Sequence, residues 1–478
     1  GLPVLVWNNS PIMPYETTEA IMGGEDLCRL TWGYMDKQVV AGMLANNENN
    51  GAGYTDDYFP NNYAYIRKAW LVYENIDKVA DMSDRDKAIV KAEMQVLVAF
   101  RYVEMLKRYG GVPLVESTLT TVDVRPRSTV QQTLDFIVGL CDAAAATLEG
   151  VRWPADWLGR VNKGVALAVK AEALMYAARP LFNADAPYMQ MADPANNEMI
   201  WLGGYDAKRW ETARLANQEV IDWGKANGFE LIDTGDPIKD YGTAVGTPSN
   251  REVLLAYKQQ READDNGIYK NYTFMPTHTG HDLGQYRGTG YGQLCQYRKA
   301  DGTDQTWAGV DDWRPAGEYR DKAEELEPRA QASLYFYGVN PKNNTGNSRW
   351  DLYQNWQLEY KWQDGCAKNI KFWYEAGSRE WFEFPIYRMA EFYLNIAEAY
   401  NEEGNPTMAL RYLNDIRRRG GIPDERVLVA IGDWLVVGSV AVRIERNGVW
   451  LGNERARVLG APHLRLAYLR ACLARIRR

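Results

Sequence analysis

Aromatic rings occur on three polar stretches of the chain that lack helical or strand periodicity: GYTDDYF at 53–59, GTGYGQ at 288–293 and TWAGVDDWRPAGEY at 306–319, and carboxylates accompany them in the first and third. A tryptophan or tyrosine ring can stack on the C–H face of a sugar, and a nearby carboxylate can accept hydrogen bonds from its hydroxyls. These stretches predict carbohydrate-binding loops, and a structural role in a core is the alternative for each ring. The candidate ligand contacts are Tyr54, Asp57, Tyr58, Tyr291, Trp307, Asp312, Trp313 and Tyr319.

Other chemistry has little support from residue types and spacing. In THTGHDLG, His278 and His281 with the adjacent Asp282 could bind a metal, but surface histidines on a loop are the alternative, and we predict no metal site. Neighbouring acids such as Asp311 and Asp312 point in different directions, so they do not form the opposed pair of a glycosidase. The sequence has no G-x-S-x-G, P-loop, dinucleotide-binding glycine or H-E-x-x-H motif. We predict neither an enzyme nor a bound cofactor.

The charge and the cysteine content argue against nucleic-acid binding, a zinc site and a disulfide framework. The 478 residues include 55 basic and 63 acidic side chains, which gives a formal net charge of -8. Because phosphate binding needs a basic surface, we predict no nucleic-acid partner. The five cysteines are odd in number and lack C-x-x-C spacing, so they indicate neither a zinc site nor a disulfide framework. No apolar run approaches the about eighteen residues that a membrane helix needs.

Amphipathic helices must position the polar loops, and the clearest helix pair spans residues 384–423. Apolar residues recur there at helical spacing and predict a helix over 385–403. Gly404 and Pro406 are expected to end this helix and begin a second one, which a Gly-Gly pair closes. Two amphipathic helices joined by so short a turn are expected to pack antiparallel, as in a tetratricopeptide-like repeat.

Periodicity predicts three more helix pairs, at about 17–78, 84–148 and 164–227, the first with helices over 17–44 and 62–78. Glycine, aspartate and asparagine recur through 233–383, where only short strands at EVLLAYK and QASLYFYG are expected. The predicted fold is mainly α, with four tetratricopeptide-like helix pairs and a loop-rich inserted subdomain. The predicted regions are 1–232 (three helix pairs), 233–383 (ligand-binding insertion) and 384–478 (fourth pair and an atypical tail).

The segment FPIYRMAEFYLNIAEAYNEEGNPTMALRYLNDIRRRGGIP closely resembles the most characteristic segment of the SusD/RagB family, the nutrient-binding lipoproteins of Bacteroidetes. That pattern is an R-x-A-E-x-Y-L-N-x-A-E-A helix, a glycine turn and A-L-x-x-x-L-N-x-I-R-x-R-x-G-x-P. KAEMQVLVAFRYVEMLKRYGGVPLV resembles a second family segment, although Phe100 and Arg101 replace its Arg-Ala pair. The residues in register with the first pattern are Arg388, Ala390, Glu391, Tyr393, Leu394, Asn395, Ala397, Glu398, Ala399, Leu413, Asn414, Arg417, Arg419, Gly421 and Pro423.

The resemblance implies a right-handed superhelical scaffold whose ligand binds a shallow surface of the first-pair loop and the inserted subdomain. It also implies a surface-exposed lipoprotein of the cell outer membrane that delivers oligosaccharides or polysaccharides to a SusC-like TonB-dependent transporter, on which the helix pairs dock. Because family members start with a signal peptide and a lipidated cysteine, we expect this sequence to be a mature protein trimmed past its N-terminal lipid anchor.

Two other functions stay open at the level of sequence. A helix-pair scaffold could bind peptides or proteins instead of glycans, as arrays of such pairs often do. A glycoside hydrolase is a third possibility, which release of reducing sugar by the purified protein would support.

The end of the chain departs from the family pattern after about residue 424. The family continues with E-R-R-x-E-L-A-F-E-x-x-R-x-x-D-L-R-R, whereas this chain reads VAVRIERNGVWLGNERARVLGAPHLRLAYLRACLARIRR and has no lysine after Lys371. We hypothesise a frame change near Arg446 in the encoding DNA, with natural divergence as the alternative. Translation of the other two frames of the gene distinguishes them.

Overall fold

The computed structural model describes residues 59–119, 121, 124–154, 157, 159–259, 287–289, 294, 297–307, 318–336, 367–369 and 382–425, and the backbone of short strands at 28–30 and between 434 and 458. The chain divides into two compact units. Unit 1 comprises Gly1–Pro11, Asp57–Glu230 and Ile386–Glu403. Unit 2 comprises Ile12–Asp56, Leu231–Pro385 and Gly404–Arg478.

Helices predominate in the part of the chain that the structure describes, which confirms the predicted mainly α class. In chain order they are α1 Phe59–Asn75, α2 Asp84–Tyr109, α3 Val130–Thr147, α4 Lys163–Ala178, α5 Lys208–Ala226, α6 Pro237–Gly246, α7 Glu318–Glu324, α8 Pro328–Ser333, α9 Met389–Glu402 and α10 Pro406–Arg419. Short 3-10 helices occur at Ile76–Lys78 and Pro194–Met199.

The helix boundaries follow from local chemistry. Before α2, the Oγ atom of Ser83 accepts a hydrogen bond of 3.1 Å from the backbone amide of Asp86, which caps the first turn. Between α9 and α10, Gly404 adopts a φ of 76°, a left-handed conformation that glycine tolerates best. Asn405 then caps α10, and Pro406 occupies its first turn. The predicted turn between these two helices is confirmed, but the predicted start of the first helix at 385 is wrong, because Phe382–Arg388 form a strand.

In unit 1, α1 packs against α2, α2 against α3, α3 against α4 and α4 against α5, and α9 packs against α5. The predicted helix pairs at 84–148 and 164–227 are therefore confirmed. Gly164 allows the close approach of α4 to α5, because a Cβ atom at this position would lie 2.0 Å from the ring of Trp223. The many alanines of α4 are buried, so this helix packs tightly on both neighbours.

Polar pairs fix α9 in unit 1. The guanidinium group of Arg179, next to the end of α4, donates two hydrogen bonds of 3.0 Å to the carboxylate of Glu398. The Nδ2 atom of the buried Asn395 donates to Oδ1 of Asn217 on α5 at 2.8 Å. Buried amides in folded proteins are hydrogen-bonded, so these contacts fix the orientation of α9 about its own axis.

Unit 2 contains a four-stranded antiparallel sheet with the order β1-β3-β5-β4. The strand β1 lies at 28–30, inside the predicted helix over 17–44, and this part of the prediction is wrong. The apolar spacing there fits a helix, but β1 pairs with β3, and a local pattern carries no signal for such a distant partner. The strands up to α9 are β1 Cys28–Leu30, β2 Val253–Gln259, β3 Arg287–Thr289, β4 Leu334–Phe336, β5 Ala367–Asn369 and β6 Phe382–Arg388.

The predicted strand EVLLAYK corresponds to β2, whereas QASLYFYG begins inside α8 and contains only the three residues of β4. The predicted insertion also contains the short helices α6, α7 and α8, which the sequence did not predict. They run to ten residues at most, so their apolar residues form too brief a repeat to stand out among the surrounding glycines and acids.

The helix α6 packs against α8 and α10 in unit 2. Gly421, the glycine of the family-like R-x-R-x-G segment, follows α10 with a φ of 73°. A Cβ atom there would lie 2.5 Å from Cγ of Pro237 and 2.8 Å from Cγ of Pro328. Glycine is required at this position because both the backbone conformation and the available space exclude a side chain.

The tail contains a sequential antiparallel sheet with the order β10-β9-β8-β7. The frame-change hypothesis concerns the encoding DNA, so it stays a hypothesis. The strands of the tail are β7 Trp434–Val437, β8 Val440–Glu445, β9 Gly448–Leu451 and β10 Glu454–Val458.

Among the described helices, none combines the length and the apolar composition that a membrane crossing requires.

Candidate functional site

The structure describes two of the eight predicted ligand contacts, Trp307 and Tyr319. Both are buried in unit 2, with 2% and 1% of their surfaces exposed, and their ring centroids lie 5.6 Å apart. A buried ring has no free face for a sugar, so the prediction of ligand contact is corrected for these two residues to a core role. The six contacts outside the described residues are Tyr54, Asp57, Tyr58, Tyr291, Asp312 and Trp313.

The two buried rings belong to one hydrophobic cluster of unit 2. The polar neighbours of Trp307 and Tyr319 in the sequence suggested exposed rings, but both side chains point into the core. Tyr319 also lies 6.3 Å from the ring of Phe336 on β4, which ties the cluster to the sheet. The members are Leu294, Tyr297, Trp307, Tyr319, Ala323, Leu326, Ala330, Leu334 and Phe336.

The contact between the two rings holds together the two chain positions that flank residues 308–317. Trp307 precedes residues 308–317, and Tyr319 follows them closely in α7. Because the two rings are in contact, both ends of the segment that carries Asp312 and Trp313 are held at one place on the core.

A buried carboxylate with two hydrogen-bond donors lies beside the cluster. The carboxylate of Glu327 accepts hydrogen bonds from the backbone amide of Arg298 at 3.2 Å and from Nη2 of Arg329 at 2.7 Å. The guanidinium of Arg329 also lies 4.9 Å from the ring centroid of Tyr297. Burial disfavours the charge of Arg329, but Glu327 more than offsets it and holds the pKa of Arg329 above its ordinary value.

The arginines of the family-like R-x-R-x-G segment serve the scaffold of unit 2. Arg417 donates to the backbone carbonyl of Pro423 at 2.9 Å and lies 3.4 Å from the carboxylate of Glu425. Arg419 donates from Nη1 to the fully buried carboxylate of Glu252 at 2.8 Å. These charges are paired inside the protein, so we assign them to folding rather than to ligand contact.

Unit 1 contains a comparable buried network. The ammonium of Lys107 bridges the carboxylates of Glu104 and Glu172, and Arg108 donates to Glu104 at 2.8 Å. The hydroxyl of Tyr387 donates to Glu172. Burial by itself raises the pKa of Glu104, but Lys107 and Arg108 outweigh it, so the net pKa lies below the ordinary value. The carboxylate is therefore held ionised in the folded protein.

An aromatic group that the sequence analysis did not select lies in the loop between α3 and α4. The indole of Trp157 is 52% exposed, and its ring centroid lies 5.9 Å from that of Trp153. The guanidinium carbon of Arg160 lies 3.9 Å from the ring centroid of Trp153 and 4.6 Å from that of Trp157. The criterion of rings on polar loops, applied to 151–160, would have found both tryptophans.

Among the described residues, no group of three or more His, Cys, Asp or Glu side chains has the arrangement of a metal site. The predicted histidine pair, His278 and His281, lies outside them.

Two family models match the sequence. The model described as the SusD family matches residues 251–429, and the model described as starch-binding and associating with the outer membrane matches residues 31–172. The two matches together cover more than half of the chain. No curated protein sequence matches significantly.

Many solved structures share the fold. A SusD-like protein from Bacteroides fragilis is 23% identical over 88% of this chain and 72% of its own, with a TM-score of 0.59. A SusD-like carbohydrate-binding protein from Bacteroides vulgatus is 15% identical over 86% of this chain and 70% of its own, with a TM-score of 0.54. Surface glycan-binding protein A from Bacteroides uniformis is 16% identical over 88% and 79%, with a TM-score of 0.57.

These likenesses concern the fold, whereas the model matches concern the sequence itself. The family-like segment at 384–423 lies inside the first match, and the family-like segment at 91–115 lies inside the second. The two matches, together with a helical fold that SusD-like proteins share, show that the chain belongs to the SusD family.

Proposed function

We propose that this protein binds oligosaccharides or polysaccharides at the outer surface of the outer membrane and delivers them to a SusC-like TonB-dependent transporter. The observation that carries the proposal is the match of residues 31–172 to the model for starch-binding proteins that associate with the outer membrane. The carbohydrate-binding neighbours from Bacteroides vulgatus and Bacteroides uniformis, which share the fold, support the same class of ligand.

In this proposal, the segment 308–317 is the principal ligand loop. Trp307 and Tyr319 hold its ends on a buried core, and Asp312 and Trp313 lie between them in the sequence. Trp313 supplies a ring for stacking, and Asp312 accepts hydrogen bonds from sugar hydroxyls. Because binding residues concentrate on loops held by a rigid scaffold, a buried aromatic base suits this role. Further candidate contacts are Tyr54, Asp57, Tyr58 and Tyr291.

The remaining features of the proposal follow from the family. The protein is a surface-exposed lipoprotein with an N-terminal lipid anchor, and its helix pairs provide the face that docks on the transporter. It captures glycans without cleaving them. The three regions 1–232, 233–383 and 384–478 correspond to the first helix pairs, the ligand-binding insertion and the fourth pair with its tail.

A glycan array followed by affinity electrophoresis on the polysaccharides that bind tests the proposal. Wild-type protein should bind at least one glycan class, and Trp313→Ala and Asp312→Ala should each weaken that binding. Tyr205→Ala, which removes an exposed ring of unit 1, is the matched control and should bind as wild type does. Wild-type protein that binds peptides but no glycan would support the peptide-binding scaffold, and release of reducing sugar would support a hydrolase.

A further inference from the structure

The loop between α3 and α4 holds an exposed indole in a fixed position. Trp157 is 52% exposed, although tryptophan is one of the residues that gain most from burial. Its backbone amide donates to the carbonyl of Pro154 at 2.8 Å, and its carbonyl accepts from the amide of Arg160 at 3.3 Å. Gly159, with a φ of 94°, makes the turn that these hydrogen bonds need. The backbone therefore fixes the base of the exposed side chain.

Arg160 supports the ring from one side. Its guanidinium carbon lies within 4.6 Å of the centroids of both indoles, a distance typical of cation–π contact. The same guanidinium forms a two-pronged ion pair with Glu93 on α2, with Nε 2.9 Å from Oε1 and Nη2 bound to Oε2. Glu93 is buried, so Arg160, which contacts the indole of Trp157, is fixed to the helical scaffold.

The partner indole is also fixed. The Nε1 atom of Trp153 donates to the backbone carbonyl of Val161 at 2.9 Å, and its ring is tilted by 36° from that of Trp157. The next residue, Asn162, caps α4 by accepting a hydrogen bond from the amide of Val165. Trp153 and the residues that follow Arg160 are therefore both held by hydrogen bonds within unit 1.

This arrangement suits the flat face of a sugar. Arg160 covers part of Trp157, and half of the residue stays open to solvent. A rigid ring loses little conformational entropy when a ligand stacks on it, and an indole offers a large apolar face to the C–H groups of a pyranose. Arg160 binds Glu93 through Nε and Nη2, which leaves Nη1 free of hydrogen bonds to the described residues and able to donate to a sugar hydroxyl.

We propose that Trp157, backed by Trp153 and Arg160, is a second sugar-stacking site, which binds a pyranose unit of a polysaccharide. The inference rests on the proposed function, and these residues lie within the segment that matches the model for starch-binding proteins. One ring gives weak binding to a single sugar. A long glycan that also occupies the principal loops gains from the second contact through effective concentration.

The test uses full-length wild-type protein, Trp157→Ala, Trp157→Phe and the control Tyr188→Ala, which removes another exposed ring of unit 1. On a polysaccharide that wild-type protein binds, Trp157→Ala should lower the apparent affinity about tenfold, and Trp157→Phe should lower it less. Calorimetry with a short oligosaccharide of the same sugar should show little change, because one short ligand occupies the principal loops alone. Tyr188→Ala should match wild type in both assays.

A direct readout does not depend on affinity. In protein labelled with 5-fluorotryptophan, the fluorine resonance that Trp157→Phe lacks belongs to Trp157, and it should shift when the polysaccharide is added. An unshifted resonance at saturating polysaccharide, or a shift with peptides alone, overturns the second site while leaving glycan binding by the protein intact. Failure of wild-type protein to bind any glycan overturns the proposed function, and the second site with it.

Discussion

The indole of Trp307 packs against the phenol ring of Tyr319 with their centroids 5.6 Å apart, at the two ends of the segment that carries Asp312 and Trp313. Both rings are part of the hydrophobic cluster of unit 2 rather than of an exposed platform. The two rings therefore serve the core, and the proposed binding role on this stretch is left to Trp313 and Asp312.

Replacement of Trp307 should affect mainly stability, whereas replacement of Trp313 should affect mainly glycan binding. Trp307→Ala leaves a large cavity in the cluster, and we expect it to lower the free energy of unfolding by about 3–5 kcal/mol. Trp313→Ala should change that free energy by only about 0.5 kcal/mol and weaken glycan binding instead. Urea titration followed by circular dichroism, beside affinity electrophoresis, measures both. A strongly destabilised Trp313→Ala with unchanged binding would refute the assignment.

Substitution of Gly421 should destabilise unit 2. Gly421→Ala places a Cβ atom against Pro237 and Pro328 in a left-handed backbone conformation, and we expect a loss of about 1–3 kcal/mol. Gly139→Ala is the matched control, because Gly139 lies inside α3 and a Cβ atom there meets nothing within 4 Å. We expect this control to stabilise the helix by about 1 kcal/mol. Equal effects in thermal unfolding would contradict the steric explanation.

The buried carboxylate of Glu104 should make stability depend on acid pH. Its folded-state pKa lies below the ordinary value of 4.5 because Lys107 and Arg108 outweigh burial, so its contribution is present above pH 4.5 and is lost as the pH falls through the folded-state pKa. Glu104→Gln should lower the free energy of unfolding by about 3 kcal/mol at pH 7, and this difference should shrink below pH 4.5.

Urea titrations of wild type and Glu104→Gln at pH 7, 4.5 and 3 test this dependence. Glu149→Gln is the control, because Glu149 pairs with Lys163 at the solvent-exposed surface, where an ion pair contributes little to stability. A difference between wild type and Glu104→Gln that stays constant over the three pH values would show that the carboxylate is not stabilised in its ionised form.

The ion pair of Arg419 with Glu252 should be strongly coupled. Arg419→Met removes the guanidinium from a carboxylate with no exposed surface, and we expect a loss of about 3–5 kcal/mol. Glu252→Gln combined with Arg419→Met should recover part of that loss, since the remaining amide carries no charge. A double-mutant cycle in urea measures the coupling. Additive single and double effects would indicate that the pair is not energetically linked.

The prediction from sequence was accurate where a local repeat determines the structure. The helices α2, α3, α4, α5 and α10, the part of α9 from Met389 onward and the turn at Gly404 all follow from spacing and end residues that interact within a few positions. The strand at 28–30 and the short helices of unit 2 were missed. Their stability depends on partners far along the chain, or on too few apolar residues to form a recognisable repeat.

The candidate binding residues show the same division. The polar stretch at 306–319 predicted ligand contacts for all of its rings, yet Trp307 and Tyr319 are in the hydrophobic cluster, and Trp313 lies outside the described residues. The sequence criterion also fits Trp153 and Trp157, but only distances show that Arg160 contacts both rings and is held by Glu93 on another helix.

The sequence by itself determined the family, the helical class and the positions of most helices in unit 1, because 3.6-residue periodicity, caps and a long motif are properties of neighbouring residues. Only the tertiary structure decided which aromatic and charged side chains are buried. Arg417, Arg419, Trp307 and Tyr319 are all polar or amphipathic, and their burial depends on partners brought from distant segments, such as Glu252 for Arg419. Burial is a property of the packed chain, and it separates residues that build the fold from those free to bind a ligand.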